Sequence, residues 1–254
     1  MKESKITIIT VTFNAEKSIE KTILSVIGQT YNNIEYIIVD GLSKDNTMSI
    51  VEKYKDKIAL IISEKDSGIY DAMNKGIIKS TGDFLFFLNS GDEIYENNTI
   101  EKIFLDINDE EIFYGKTSLI NEDGSLKKIT SIPKTLTHKS FLTGMPVSHQ
   151  SIIIKKNLIN LYDLKYKFVS DHDFIITALK KAKKVKNTNL IISKYQLGGF
   201  SDKNFFGCWF DKFLIVRKQF GFYALLPNYI AFLKEITKKI IKSFFLKKDN
   251  HSDK

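Results

Sequence analysis

The sequence predicts an α/β protein: a mainly parallel sheet flanked by helices, followed by a helical C-terminal extension. Three observations carry this. Short, β-branched runs alternate with stretches of helical spacing through the first 95 residues. Strands alternating with helices imply right-handed βαβ crossovers and so parallel pairing. The strands are nearly all apolar, as two helix-covered faces require.

The elements follow in order. Ile6–Phe13 (I-T-I-I-T-V-T-F) reads as the first strand, and Glu16–Gln29, with Ile19, Ile23, Val26 and Ile27 at helical spacing, as the first helix. Strand Ile34–Val39, helix Asp45–Tyr54, strand Ile58–Ile62, helix Ile69–Lys79 and strand Phe84–Leu88 come next. Past residue 95 the pattern loosens into a helix from Asn97, a strand at Glu111–Gly115, a hairpin at Asp123-Gly124 and a strand at Ser151–Ile154. Ser170 reads as the N-cap of a further helix. Gly198-Gly199-Phe200-Ser201 reads as a flexible flap, and Asn204–Phe220 as a helix. After Pro227, Tyr229, Phe232, Leu233, Ile236, Ile240 and Phe244 recur at helical spacing, with Lys234, Lys238, Lys239, Lys242, Lys247 and Lys248 mostly elsewhere. The expected division is a domain of residues 1–200, with halves 1–95 and 96–200, and a basic helical region at 201–254.

Composition narrows the function classes. With 254 residues, 43% hydrophobic and 27% charged, the chain can bury an ordinary globular core. The single cysteine, Cys208, excludes an internal disulfide and suits a reducing compartment. No apolar run reaches the roughly 18 residues of a membrane span, and the N-terminus is not a secretory signal, so a cytoplasmic location is expected. The net charge of +8 is uneven: residues 201–254 hold eleven Lys or Arg against five Asp or Glu. Arg217 is the one arginine, which argues against nucleic-acid reading, where Arg is favoured. Two readings of the basic amphipathic tail stand: it lies on an anionic membrane, or it packs on the domain with a wet lysine face.

Parallel topology gathers the strand ends on one edge, where such sheets bind ligands. Those ends read Thr12-Phe13-Asn14, Asp40-Gly41-Leu42-Ser43, Glu64-Lys65-Asp66 and Asn89-Ser90-Gly91-Asp92. Taken singly, each suits a helix cap or a turn. Together they form an acidic cleft that calls for a cation. No G-x-G-x-x-G or G-x-x-x-x-G-K-[ST] loop is present, and four histidines with one cysteine make no zinc spacing. An oxygen-lined site favours Mg²⁺ or Mn²⁺ shared with a diphosphate.

At this point the motifs I-T-I-I-T-V-T-F-N-A, I-I-V-D-G-L-S-K-D-N-T, S-E-K-D-S-G-I-Y-D-A-M-N-K-G-I and S-T-G-D-F-L-F-F-L-N-S-G-D-E closely resemble family 2 inverting glycosyltransferases of the GT-A fold. The likeness is strongest to bacterial enzymes that build O-antigen and other surface polysaccharides, and it spans roughly residues 5–200. It implies a metal-dependent transferase of hexosyl or N-acetylhexosaminyl groups, with a nucleotide-sugar donor, expected to be a UDP-sugar. The implied acceptor is a saccharide linked to polyprenyl diphosphate, met at the inner face of the plasma membrane. On the donor side it implies Val11, Thr12, Phe13, Asn14, Asp40, Asp66, Asn74, Asn89, Ser90 and Gly91, with Gly41 where the family has a second acid. Asp92 matches the family's direct metal ligand and stands at the open end of a buried strand. His149 and Gln150, in an H-Q-S step, fall on the acceptor side. Asp171 matches the catalytic aspartate that opens a helix, and an inverting transfer needs such a carboxylate opposite the leaving diphosphate. Asp173, about 200° around the helix, is a helper on the acceptor side, as is the neighbouring His172. Acids in a first turn also have a plainer use, offsetting the helix dipole. Rival classes are a sugar-nucleotidyltransferase, a metal-dependent phosphohydrolase, and a non-catalytic carbohydrate-binding protein on a transferase fold.

Overall fold

Alternate residues of the central strands feed two separate cores, which explains why those strands are apolar throughout. Ile9, Val11, Ile37, Val39, Leu85 and Phe87 point to one face; Ile6, Ile8, Tyr36, Ile38, Phe84 and Phe86 point to the other. The computed structural model describes residues 4–105, 107–198 and 204–249. The first half runs β1 (Ile6–Thr12), α1 (Ile19–Ile27), β2 (Ile34–Asp40), α2 (Thr47–Glu52), β3 (Leu60–Ser63), α3 (Ile69–Lys79) and β4 (Phe84–Phe87). The second half runs β5 (Glu93–Ile94), α4 (Thr99–Phe104), β6 (Ile112–Ile120), β7 (Leu126–Ile129), β8 (Ile152–Lys155), α5 (Ser170–Lys181), β9 (Val185–Gln196), α6 (Phe205–Phe220) and α7 (Leu225–Asp249). Helices α3 and α5 cover the first face, and α1, α2 and α4 the second.

The strand order is β3-β2-β1-β4-β8-β6-β9-β5, with β7 paired to β6. From β3 to β4 every pairing is parallel, as the βαβ pattern predicts. Beyond β4 the sheet is mixed: β8 lies antiparallel to both β4 and β6, while β6 and β9 are parallel. The expected hairpin forms between β6 and β7, closed by the Asn121 N–H to Ser125 O bond.

Several boundaries are tighter than the periodicity suggests. The second helix stops at Glu52 and passes into a 3-10 turn at Lys55–Lys57. Ser170 is not an N-cap: α5 begins on it, and its hydroxyl donates to Asp163 O (3.0 Å). Strands β5 and β9 go unread in the sequence because β9 opens on V-K-N-T-N and turns left-handed at Asn189 (φ +56). The proposed flap lies largely outside the described residues, which resume at Asn204.

Helix α6 is fastened to α5 and to the segment just before it. Asp211 accepts the Phe168 N–H (2.8 Å), and Gln219 accepts the Lys180 ammonium on its side chain (2.8 Å). Helix α7 packs on α6 through Phe232, which lies against Trp209 and Phe213, and is tied to the α/β domain by buried Asn228, which donates to Leu142 O (3.1 Å). No described helix is long and apolar enough to cross a membrane.

Candidate active site

The loops after β1 and β2 are laced together. Pairing runs to Thr12 opposite Asp40, so both loops leave one edge. The Asn14 N–H donates to Ser43 Oγ (2.8 Å), the Ala15 N–H to Thr47 Oγ1 (2.7 Å) and the Lys44 N–H to Asn14 Oδ1 (2.9 Å). Asn14 and Leu42 take left-handed backbone to make these bonds (φ +48 and +62). Asp40 is buried, and its carboxylate accepts the Ser43 N–H and hydroxyl and the Ser63 hydroxyl (2.7 Å). Above this lacing Phe13 stands out, 61% exposed.

Gly41 leaves room for an acid from elsewhere. A Cβ at Gly41 would lie 2.5 Å from Asp66 Oδ2 and 3.4 Å from the Phe13 ring. Asp66, held by the Gly68 N–H (3.0 Å), thus fills the space into which a side chain at position 41 would project.

The turn after β4 is set by Gly91 (φ +100), a conformation that favours glycine. Thr22 clasps it from α1, accepting the Gly91 N–H (2.9 Å) and donating to Asp92 O (2.7 Å). Asp92 is not at an exposed strand end. Its side chain turns inward and the residue is 4% exposed. Oδ2 accepts the Gln150 side-chain amide (3.0 Å) and Oδ1 the Gln196 N–H (3.1 Å). Burial pushes the Asp92 pKa up to about 7, although both hydrogen bonds and Lys21 oppose the rise.

Asp171 lies in the first turn of α5, its side chain 13% exposed. Oδ1 accepts the Tyr70 hydroxyl (3.1 Å) and the His172 N–H (3.0 Å), and Oδ2 faces His149 Nδ1 at 3.5 Å. Burial lowers the His149 pKa, with Asp171 pulling the other way. Burial also raises the Tyr70 hydroxyl, assisted by Asp171. Consecutive residues therefore reach the two acids: His149 faces Asp171 and Gln150 holds Asp92.

Three expected ligand residues carry buried polar atoms without a hydrogen-bond partner: Thr12 Oγ1, Asn89 Oδ1 and His149 Nε2. Extending the β1/β4 register sets Thr12 beside Ser90. Orphaned groups gathered along one edge are what a polar ligand would satisfy. Ser90 donates its N–H to Val11 O (3.2 Å), so its backbone belongs to the sheet margin.

Other expected residues are engaged elsewhere. Val11 turns its side chain into the core. Asn74 is a brace: its amide donates to Tyr162 O (3.0 Å) and accepts the Tyr162 N–H (2.7 Å), both across α3. Asp173, expected on the acceptor side, has its carboxylate turned to α6, where it binds Lys218 Nζ (2.8 Å) and the Gln219 amide (2.7 Å). His172, a second expected helper, meets Phe141 O through Nε2 (2.8 Å), and burial brings its pKa down to about 4. Tyr70, Thr22 and Gln196 were not anticipated. Tyr70 sits inside a quoted motif, whereas Gln196 acts through its backbone, which carries no residue signal.

Among the described residues no group of three or more His, Cys, Asp or Glu could hold a metal. The turn nonetheless offers one buried carboxylate and an orphaned amide oxygen, with the Asp92 N–H bonded to Asn89 O (3.0 Å). Such all-oxygen donors fit a hard divalent cation whose remaining positions go to phosphate oxygens and water.

Residues 7–177 match the model of Glycosyl transferase family 2. The chain belongs to glycosyltransferase family 2, which sets aside the nucleotidyltransferase and phosphohydrolase readings. It is 29% identical over 201 residues to UDP-Glc:alpha-D-GlcNAc-diphosphoundecaprenol beta-1,3-glucosyltransferase WfgD of Escherichia coli, covering 78% of this chain and 79% of that one. In fold it is similar to S. aureus TarS 1–349 in complex with UDP, at TM-score 0.63 and 20% identity over 85% of this chain. The chain spans 66% of that TarS structure. The mannosyltransferase PcManGT from Pyrobaculum calidifontis, solved with GDP-Man and Mn2+, shares the fold at TM-score 0.54 and 15% identity, over 76% of this chain and 57% of that one. The fold is the GT-A-like sheet with flanking helices, and the chain is a family 2 glycosyltransferase.

Proposed function

We propose that this glycosyltransferase is inverting and metal-dependent, moving a hexosyl or N-acetylhexosaminyl group from a UDP-sugar to a hydroxyl of a saccharide carried on a lipid diphosphate. The observation that carries the reading is the His149-Gln150 step, which reaches Asp171 with one residue and Asp92 with the next. A base and a diphosphate-side acid are thereby held on either side of one 3-10 turn. The name of WfgD, which specifies a UDP-glucose donor and a diphosphoundecaprenol-linked acceptor, supports the substrate classes.

Each residue has a chemical task. Phe13 offers a face for the base to stack on and Asp66 accepts from base and ribose, while buried Asp40, its carboxylate taken by Ser43 and Ser63, holds the loop beneath them. Asp92, with Asn89, would hold Mg²⁺ or Mn²⁺, which when bound neutralises charge on the leaving diphosphate. Asp171 takes the proton of the acceptor hydroxyl as its oxygen bonds to the anomeric carbon and the bond to the diphosphate breaks on the opposite face. Tyr70 and His149 fix the carboxylate for that role. Residues 1–95 serve the donor, 96–200 the acceptor, and 201–254 the contact with an anionic membrane at the cytoplasmic face.

The test is a panel of nucleotide sugars screened for a rise in melting temperature with Mn²⁺, followed by transfer to a diphosphate-lipid-linked saccharide. Stabilisation by a UDP-sugar and a product of inverted anomeric configuration are expected. Retained configuration, or stabilisation that ignores the nucleotide, would overturn the reading.

A further inference from the structure

The large apolar side chains left exposed are concentrated at the C-terminus. On α6, Phe206, Phe210 and Leu214 form one stripe along the exposed face. On α7, Leu226, Ile230 and Leu233 form another. At the corner between the helices Phe222 and Tyr223 are 72% and 93% exposed. An apolar groove of about 650 Å³ opens here, between Phe213, Arg217, Phe222 and Tyr229. Patches of this kind are rare on a surface that meets only water.

We propose that the α6–α7 corner inserts into the interfacial layer of an anionic lipid bilayer, with Phe222 and Tyr223 as the deepest residues. The inference rests on the lipid-linked acceptor read above and names the surface that would meet the lipid. Three features select a bilayer over a second copy of this chain. Aromatic side chains on a tight, protruding corner are suited to the headgroup boundary, where one end of a tyrosine stays wet. Residues 201–254 hold eleven Lys or Arg against five Asp or Glu, which complements anionic headgroups but would repel its own copy across a two-fold axis. Arg217 lines the groove itself, and Lys234 is exposed on α7, so cations border the apolar stripe.

The attachment also has a direction. Lys218 and Gln219 near the end of α6 bind Asp173, two residues along α5 from Asp171. An inserted corner therefore fixes the height of the base above the lipid, where the hydroxyl of a lipid-anchored saccharide is presented.

The experiment uses the full chain with vesicles of phosphatidylglycerol and phosphatidylcholine in equal parts, and with phosphatidylcholine alone, in a flotation assay. Binding to the anionic vesicles that weakens in salt is expected. Phe222→Ser/Tyr223→Ser should lower the partition coefficient at least roughly tenfold, from lost apolar burial. Its melting temperature and UDP affinity should match the parent's, since both side chains are exposed. Tyr223→Trp should be quenched by brominated lipid. A double variant that floats like the parent overturns the assignment while leaving the glycosyltransferase reading intact, and so does a parent that ignores anionic vesicles yet transfers sugar. A parent dimer that the double variant dissolves would make the corner a self-interface instead. If the parent inserts but no UDP-sugar is transferred, the surface stands and the substrate reading falls.

Discussion

Replacing Asp171 by Asn separates a catalytic carboxylate from a first-turn acid, because the structure says how little the fold should notice. The amide oxygen of Asn can keep both short bonds of Oδ1, from the Tyr70 hydroxyl and the His172 N–H. The other oxygen faces His149 Nδ1 at 3.5 Å, too far for a strong hydrogen bond. What disappears is charge: about 0.3–1 kcal/mol of helix-dipole interaction, plus about 1 kcal/mol as two charge-assisted bonds become neutral. A loss of about 1–2 kcal/mol lowers Tm by roughly 2–8 °C in a chain of this size. A missing general base should cut kcat by about 10²–10⁴-fold, or roughly 3–5.5 kcal/mol of barrier, far beyond the stability effect. Donor affinity should hold, since Asp40, Asp66 and Asp92 are untouched. Both quantities are measured on one preparation, by single-turnover transfer and by calorimetric titration with UDP and Mn²⁺. A variant whose kcat stays within tenfold of the parent's would refute the assignment, as would one that loses donor affinity in proportion to rate.

Asp92→Asn should abolish the Mn²⁺-dependent part of UDP binding, read by calorimetry with and without the metal, while the circular dichroism spectrum is unchanged. Gly41→Ala should push the Asp66 carboxylate from its place and weaken UDP binding by about tenfold with little change in Tm, since only a side-chain end must move; equal affinity would detach Asp66 from the nucleotide. Glu35 gives a pH-dependent check far from the chemistry. Burial would raise its pKa, but bonds from Thr7, Thr81 and Lys5 outweigh this and bring it to about 2. The folded value is below the usual one, so the stabilisation is complete above about pH 4.5 and fades as pH falls towards 2. Glu35→Gln should lower Tm by roughly 5–10 °C at pH 7, from up to about 3 kcal/mol, and the gap should close in acid.

The parallel half of the fold was open to reading because each strand there is short, apolar and followed by an amphipathic helix. The antiparallel half was not: β9 carries Lys, Asn and Thr through its first turns, and no local signal says that β8 will slot between β4 and β6. The candidate site divides in the same way. Residues at strand ends, such as Asp40 and Asp92, announce themselves through an acid following an apolar run. Asn74 and Asp173 looked equally chemical, yet their side chains are consumed by Tyr162 and by Lys218 and Gln219. Spacing cannot tell a brace from a ligand when both use the same amide or carboxylate.

The interleaved strand order has a consequence for how the chain matures. Strand β4, F-L-F-F, is buried on all four residues, yet one of its two partners is β8, joined through Phe86 opposite Ile153. At a synthesis rate of about 5–20 residues per second, several seconds pass between the emergence of the two strands. During that interval β1 to β4 can assemble, but the outer margin of β4 remains an unpaired apolar edge of the kind that recruits other chains. β6 must wait longer still for β9, which pairs with it along most of its length. Slow, non-local closure of this kind favours aggregation over folding when many copies are made at once. Making fewer copies at once or supplying a holding chaperone should therefore raise the yield of active protein more than any stabilising surface substitution would.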